Sequence, residues 1–189
     1  MYRSGFAERI AAYIKQEIKK HEHMRVQFYG IGASGKTTLA LQVAALCKPW
    51  IESTEYIPEY FKSLAFVQPE RPPDLGQQFV GFGKQLHLES QYFANGARLL
   101  VCDMGLLLCA WYTSKYHKID VSSFIEAAQN WERLHPTINV FLQPLPISSE
   151  ELTVGRWGLH TPEERTERSE ELRRFLEQHL VNPIAFEVA

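Results

Sequence analysis

The chain has 189 residues, 45% of them hydrophobic, a net charge of −2 and a pI near 6.4. That length suits one well-buried core and is short for two, so a single domain over residues 1–189 is expected. The near-neutral balance gives no global basic field for duplex nucleic acid, and no apolar run approaches the ~20 residues of a membrane span, so a cytoplasmic chain with no membrane contact is expected.

From Phe6 to about His21, apolar Phe6, Ile10, Tyr13, Ile14 and Ile18 recur at helical spacing, with Lys15, Gln16, Lys19 and Lys20 elsewhere on the wheel. An amphipathic helix over residues 1–22 is predicted, packed on its own core or on a partner, and the oligomeric state stays open. The run Met24 to Tyr29 reads as a strand and Thr38 to Leu46 as a helix. Between them, Gly30-Ile31-Gly32-Ala33-Ser34-Gly35-Lys36-Thr37 satisfies G-x-x-x-x-G-K-[ST] at each defined position. A loop that wraps a triphosphate turns several N–H groups inward, in conformations glycine adopts at little cost. Lys36 brings an ammonium to β- and γ-phosphate oxygens, Thr37 brings a hydroxyl to Mg²⁺, and the helix that follows aims its positive end at the anion. A nucleotide site is expected over Gly30 to Thr38.

Pro49 to Thr54 reads as a second strand, with Glu55-Tyr56-Ile57-Pro58-Glu59-Tyr60 at its C-terminal end, where open α/β sheets hold ligands. Pro58 can start a helix carrying Glu59, Tyr60, Phe61 and Leu64. Glu59 could accept a proton from a hydroxyl attacking a γ-phosphate, or could simply complement a helix dipole. Gln68 to Asp74 is proline-rich loop. Leu75 to Asn95 reads as a long helix interrupted or loosened at Gly81 and Gly83; its Gln77, Gln78, Phe82 and Gln85 could line a substrate pocket or form ordinary surface.

Arg98 to Asp103 is predicted to be a strand covered on both faces, with Asp103 at its end beside the phosphate loop. There Asp103 can hold Mg²⁺ through water, activate an attacking hydroxyl, or cap a helix from Met104 to Tyr112. Trp111 to Lys118 is aromatic and basic, fit to flank a base or DNA, or to be a packed helix end. Asp120 is placed to cap a helix over Val121 to Leu134, and Thr137 to Leu142 reads as the fourth strand. A lid region over about 144–165 follows, and its helix starts at Thr161-Pro162-Glu163-Glu164 with a capping box. Arg156, on the lid loop, is the leading candidate to meet the charge of a transferred phosphoryl group. Arg165 and Arg168 stand second, because Glu163, Glu164, Glu167, Glu170 and Glu171 could pair with them along the helix. Ile184 to Val188 closes the sheet, and Cys47, Cys102 and Cys109 read as small buried hydrophobes.

With these residues in place, the chain resembles P-loop kinases of the nucleoside and nucleotide kinase type, and more narrowly the AAA-type ATPase/kinase domains related to ribosylnicotinamide kinase. The resemblance rests on GIGASGKTT, on YIPEY after the second strand, on VCDMG at the third, and on PLP followed by GRWGLHTPEERTER, and it spans about residues 24 to 188. It implies a P-loop NTPase fold, a three-layer α/β/α arrangement with a mostly parallel sheet of about five strands and a C-terminal lid; the alternating elements favour the same architecture independently. It implies Lys36 and Thr37 as phosphate and Mg²⁺ ligands, Asp103 and Glu59 as base or metal support, and Arg156 as a lid arginine. The match departs at Val154, where relatives often carry an aspartate before the lid Gly-Arg pair. The implied reaction is transfer of a phosphoryl group from ATP, with Mg²⁺, to a nucleoside, a nucleoside monophosphate or a related small molecule. A polynucleotide acceptor on a track of Lys115, Lys118 and lid arginines, or an ATP-dependent switch acting through a partner, remain alternatives. A GTPase of the usual kind is disfavoured, since no Asn-Lys-x-Asp sequence occurs.

Overall fold

The apolar runs become the strands of one sheet: β1 (Met24–Tyr29), β2 (Thr54–Ile57), β3 (Leu99–Cys102), β4 (Thr137–Leu142) and β5 (Ile184–Val188). In the computed structural model, which describes residues 4–68, 71–146 and 161–189, they lie in the order β2-β3-β1-β4-β5 with every neighbouring pair parallel. The helices are α1 (Ser4–Glu17), α2 (Lys36–Cys47), α3 (Tyr60–Val67), α4 (Leu75–Ala94), α5 (Leu106–His117), α6 (Ser122–Leu134) and α7 (Pro162–His179).

Alternation along the strands divides the core into two layers. Met24, Val26 and Phe28 of β1 pack with Ile10 and Ile14 of α1 and Leu39 and Val43 of α2, so α1 covers its own sheet. On the other face Tyr29 packs with Leu106 and Leu107 of α5, Phe124 of α6 and Leu172 and Leu176 of α7. This is the three-layer α/β/α arrangement expected, with a sheet that is parallel throughout. The β1 neighbours β3 and β4 lie on its two sides, which opens a crevice beyond the C-terminal end of β1.

That second face also buries polar side chains. Arg25 is ion-paired with Glu89 of α4, and its Nε donates to Thr137 Oγ1 at 3.0 Å. Glu89 also accepts from Gln85 at 2.8 Å and from the Trp131 indole at 2.7 Å. Glu132 of α6 accepts from Asn139 at 2.7 Å and from the Val181 and Asn182 backbone N–H groups at 3.1 Å, which fixes the turn from α7 into β5. The three cysteines are buried, and burial pushes the Cys47 and Cys109 thiols up to about 12, so both stay protonated.

Several expectations are corrected. Residues 49–53 form a turn, with Ile51 N–H bonded back to Cys47 at 2.9 Å, and β2 starts only at Thr54. Ile51 is apolar because it packs in the α1–α2 layer, not because it lies in a strand. Pro58 precedes α3, and Glu59 is its N-cap residue. α4 is unbroken through Gly81 and Gly83; at Gly81 a Cβ would lie 2.2 Å from the Phe61 ring, so the glycine serves the packing of α3 on α4. Gly105, not Asp103, holds the N-cap position of α5; at α6 that position is Val121, and the Asp120 carboxylate beside it accepts the Ser122 N–H at 2.9 Å, as a capping residue would.

Candidate active site

β1 delivers the chain into the phosphate loop, and two glycines there have no substitute. Gly30 sits at φ 148° with its missing Cβ only 2.6 Å from Ser34 Oγ and 2.7 Å from the Leu142 carbonyl, and Gly35 sits at φ 85°. Ala33 shares the left-handed region at φ 60°. The loop passes straight into α2, whose first residue is Lys36, so Lys36, Thr37 and Thr38 occupy the first turn.

Lys36 is nearly buried, and its Nζ donates to the Gly30 and Ile31 carbonyls at 2.9 and 3.1 Å. The ammonium therefore closes the loop on itself. The Thr37 hydroxyl donates to Asp103 Oδ2 at 2.6 Å, and the Tyr56 hydroxyl donates to the same oxygen at 2.9 Å. The Lys62 ammonium of α3 lies 3.2 Å from Thr37 Oγ1. Asp103 is fully buried, and its Oδ1 has no hydrogen-bond partner among the described residues. A buried carboxylate oxygen left without a donor is costly, and a hydrated cation beside Thr37 would satisfy it. The donor set of Thr37 and Asp103 thus fits Mg²⁺ arriving with a nucleotide. Burial, and then the charge and hydrogen bond of Asp103, push the Tyr56 phenol well up, so it remains a donor.

α3 and α7 also bring side chains to the loop, Lys62 to Thr37 and Arg165 to Ala33. Glu59 stands at the start of α3. Burial first, then Tyr116 and Glu59, push the Tyr112 phenol up, while the Gly32 backbone pulls it down. Arg165, buried in α7, donates to the Leu145 carbonyl at 3.0 Å and to the Ala33 carbonyl at 3.4 Å. It binds the loop's backbone, not a glutamate of its own helix. Arg156 and Val154 lie outside the described residues.

The structure thus gathers Lys36, Thr37, Asp103 and Arg165 around residues 30–37, and the charge of Glu59 acts on Tyr56 and Tyr112. It does not bring in the glutamines of α4. Gln78 and Gln85 are buried, Gln78 accepting from Thr113 at 3.3 Å, and Gln77 closes the helix cap with Asp74. Lys115, offered as part of a polynucleotide track, is paired with Glu171. Tyr56, Tyr112 and Lys62 join the site without having been singled out. YIPEY contains Tyr56, and its place one residue before a strand's end was the available signal. Tyr112 and Lys62 reach the loop only through packing. A cleft of about 560 Å³ opens elsewhere, among Tyr13, His21, Arg133, Pro136 and Asn182, and contains none of these residues. Among the described residues no helix is long and apolar enough to cross a membrane.

A family model described as an AAA domain matches residues 25–187, most of the chain. Neither a curated protein nor a solved structure matches it. The phosphate loop, α2 and all of the parallel sheet but Met24 and Val188 lie within that match, and the chain belongs to the AAA-domain family of P-loop proteins.

Proposed function

We propose that the chain is an ATP- and Mg²⁺-dependent phosphotransferase acting on a small acceptor such as a nucleoside, a nucleoside monophosphate or a related molecule. What supports this reading is that the surroundings of the loop hold more polar groups than β1, α2 and Asp103 supply: the Lys62 ammonium lies 3.2 Å from Thr37 Oγ1, Arg165 donates to the Ala33 carbonyl at 3.4 Å, and the charge of Glu59 acts on Tyr56 and Tyr112.

In this reading the loop N–H groups and the start of α2 bind the ATP phosphates, and Lys36 exchanges the Gly30 and Ile31 carbonyls for phosphate oxygens. Thr37 and Asp103 hold Mg²⁺, which neutralises charge on the phosphates when bound. Where the acceptor attacks through a hydroxyl, Glu59 accepts its proton; an ionised phosphate acceptor has none to give and needs no such base. Arg165 keeps α7 docked on the loop. Arg156 is the further lid arginine in this scheme.

The test is incubation with ATP and Mg²⁺ against nucleosides, nucleoside monophosphates, nicotinamide riboside and short DNA, with products read by mass. One small acceptor should gain a phosphate, and Asp103→Asn should abolish the gain. Phosphate on DNA alone, or ATP hydrolysis with no acceptor modified, would count against the proposal.

A further inference from the structure

Asp103 follows directly on β3, and its backbone N–H extends the ladder to the Ile57 carbonyl of β2 at 2.9 Å. The side chain of Tyr56, the residue before Ile57, thereby comes within reach of the carboxylate. An aspartate can turn about two side-chain torsions, so its donors decide where its oxygens point. Two side chains donate to it, and both bind Oδ2: the Thr37 hydroxyl at 2.6 Å and the Tyr56 hydroxyl at 2.9 Å. Oδ1 is buried and has no hydrogen-bond partner among the described residues. The two donors come from different elements, α2 and β2, so together they hold the group where one bond would leave it free to swing.

The two donors differ in their other duties. Thr37 lies in the first turn of α2, its oxygen also receives the Lys62 ammonium at 3.2 Å, and it is the hydroxyl assigned above to Mg²⁺. Tyr56 is anchored away from the loop, its half-buried ring packed against the α1–α2 layer. Both donors are neutral, because the Tyr56 phenol keeps its proton. A neutral hydroxyl orients a carboxylate without cancelling its charge, whereas a guanidinium does both, as Arg25 does for Glu89. Asp103 is therefore held in place with its attraction for a cation undiminished.

We propose that Tyr56 is the positioning residue of this corner: its phenol holds the Asp103 carboxylate by Oδ2, which leaves Oδ1 for the hydrated Mg²⁺ of the nucleotide. The inference rests on the reading of Thr37 and Asp103 as Mg²⁺ holders, and it stands for any acceptor. Partners that orient a metal-holding side chain are typically worth about 10–100-fold in metal affinity.

The test is calorimetric titration of a non-hydrolysable ATP analogue across graded Mg²⁺ and in EDTA. It compares wild type, Tyr56→Phe, Asp103→Asn and the double variant, with urea midpoints to show that each is folded. Tyr56→Phe keeps the ring and removes only the hydroxyl. It should raise the Mg²⁺ concentration needed for half of the metal-dependent gain by about ten-fold or more, with a far smaller loss in EDTA. Added to Asp103→Asn, the same change should matter by less than about two-fold, because the group it positions has lost its charge. An unchanged Mg²⁺ requirement in Tyr56→Phe, beside a raised one in Asp103→Asn, would overturn the inference and leave the metal reading standing. Equal losses with Mg²⁺ and in EDTA would reduce Tyr56 to packing and overturn it too, as would a ten-fold effect that persists in Asp103→Asn. A Mg²⁺ requirement unchanged in Asp103→Asn would remove the metal reading and the inference together.

Discussion

Glu89, beneath the second helical layer, receives hydrogen bonds from Arg25, Gln85 and Trp131, whereas Asp103, at the mouth of the phosphate loop, receives two on Oδ2 and none on Oδ1. Both carboxylates are fully buried, so the difference lies in satisfaction, not in depth. The first acid has its own cation, and the pair acts as part of the core. The second keeps an oxygen in reserve beside a threonine hydroxyl and a loop that folds its lysine onto its own carbonyls. Among the cations, Arg25 follows the first pattern. The Glu89 carboxylate is satisfied within the chain and supports the fold, whereas the open Asp103 oxygen stands where a cation could complete it.

The largest expected effect breaks the complete side. Glu89→Leu leaves Arg25 buried without an anion and should cost about 3–5 kcal/mol of stability, read by urea unfolding. Replacing both partners in Arg25→Met with Glu89→Leu should cost much less, because no charge is then stranded. If the single and double variants are equally unstable, the pair is not the unit proposed.

Next comes the incomplete side. Lys36→Ala should lower phosphotransfer by about 10²–10³-fold, as expected for loss of one charge-stabilising donor, while the unfolding midpoint moves little. Full activity in that variant would remove Lys36 from the chemistry.

The smaller effect is on pH. His135 is bonded to His23 across 2.7 Å, and burial, then His23 and Arg25, hold its imidazole down at about 4. The folded value lies below the unfolded one near 6.5, so protonation favours the unfolded chain. Its contribution is complete above about pH 6.5 and is lost as the pH falls toward 4. With the ring only half buried, about 1–2 kcal/mol is expected over that window. Urea midpoints for wild type and His135→Phe should diverge at pH 7.5 and converge near pH 4.5; parallel curves would contradict the assignment.

How far the sequence carried varies with how local each feature is. The phosphate loop is contiguous, and its strand and helix were legible because periodicity changes on either side of Gly30. The α7 start was legible too, since Thr161, Pro162 and Glu164 carry a complete capping signal. What failed was set by tertiary contact. Pro49 to Thr54 misled because Ile51 is apolar for a helix layer. Asp103 read first as a metal or base residue and second as a cap, and Gly105 takes the cap position, packed so closely on Tyr29 that a Cβ would lie 2.1 Å from its ring. Arg25 and Glu89 stand 64 positions apart, and one arginine in the run Met24 to Tyr29 carries no signal of its partner. Tyr112 sat in a segment whose aromatics suggested DNA, and only the lay of α5 turns it to Gly32.

The most direct measurement is the unfolding stability of wild type and Asp103→Asn, with and without Mg²⁺ and a non-hydrolysable ATP analogue. Without ligand the variant should match or exceed wild type, because the charge left short of a donor is gone. With ligand at 100 times its dissociation constant, wild type should gain about 2.7 kcal/mol, and the variant should lose the Mg²⁺-dependent part of that gain. A variant destabilised without ligand, as Glu89→Leu is expected to be, that still kept the whole Mg²⁺-dependent gain would contradict the division between the two buried acids.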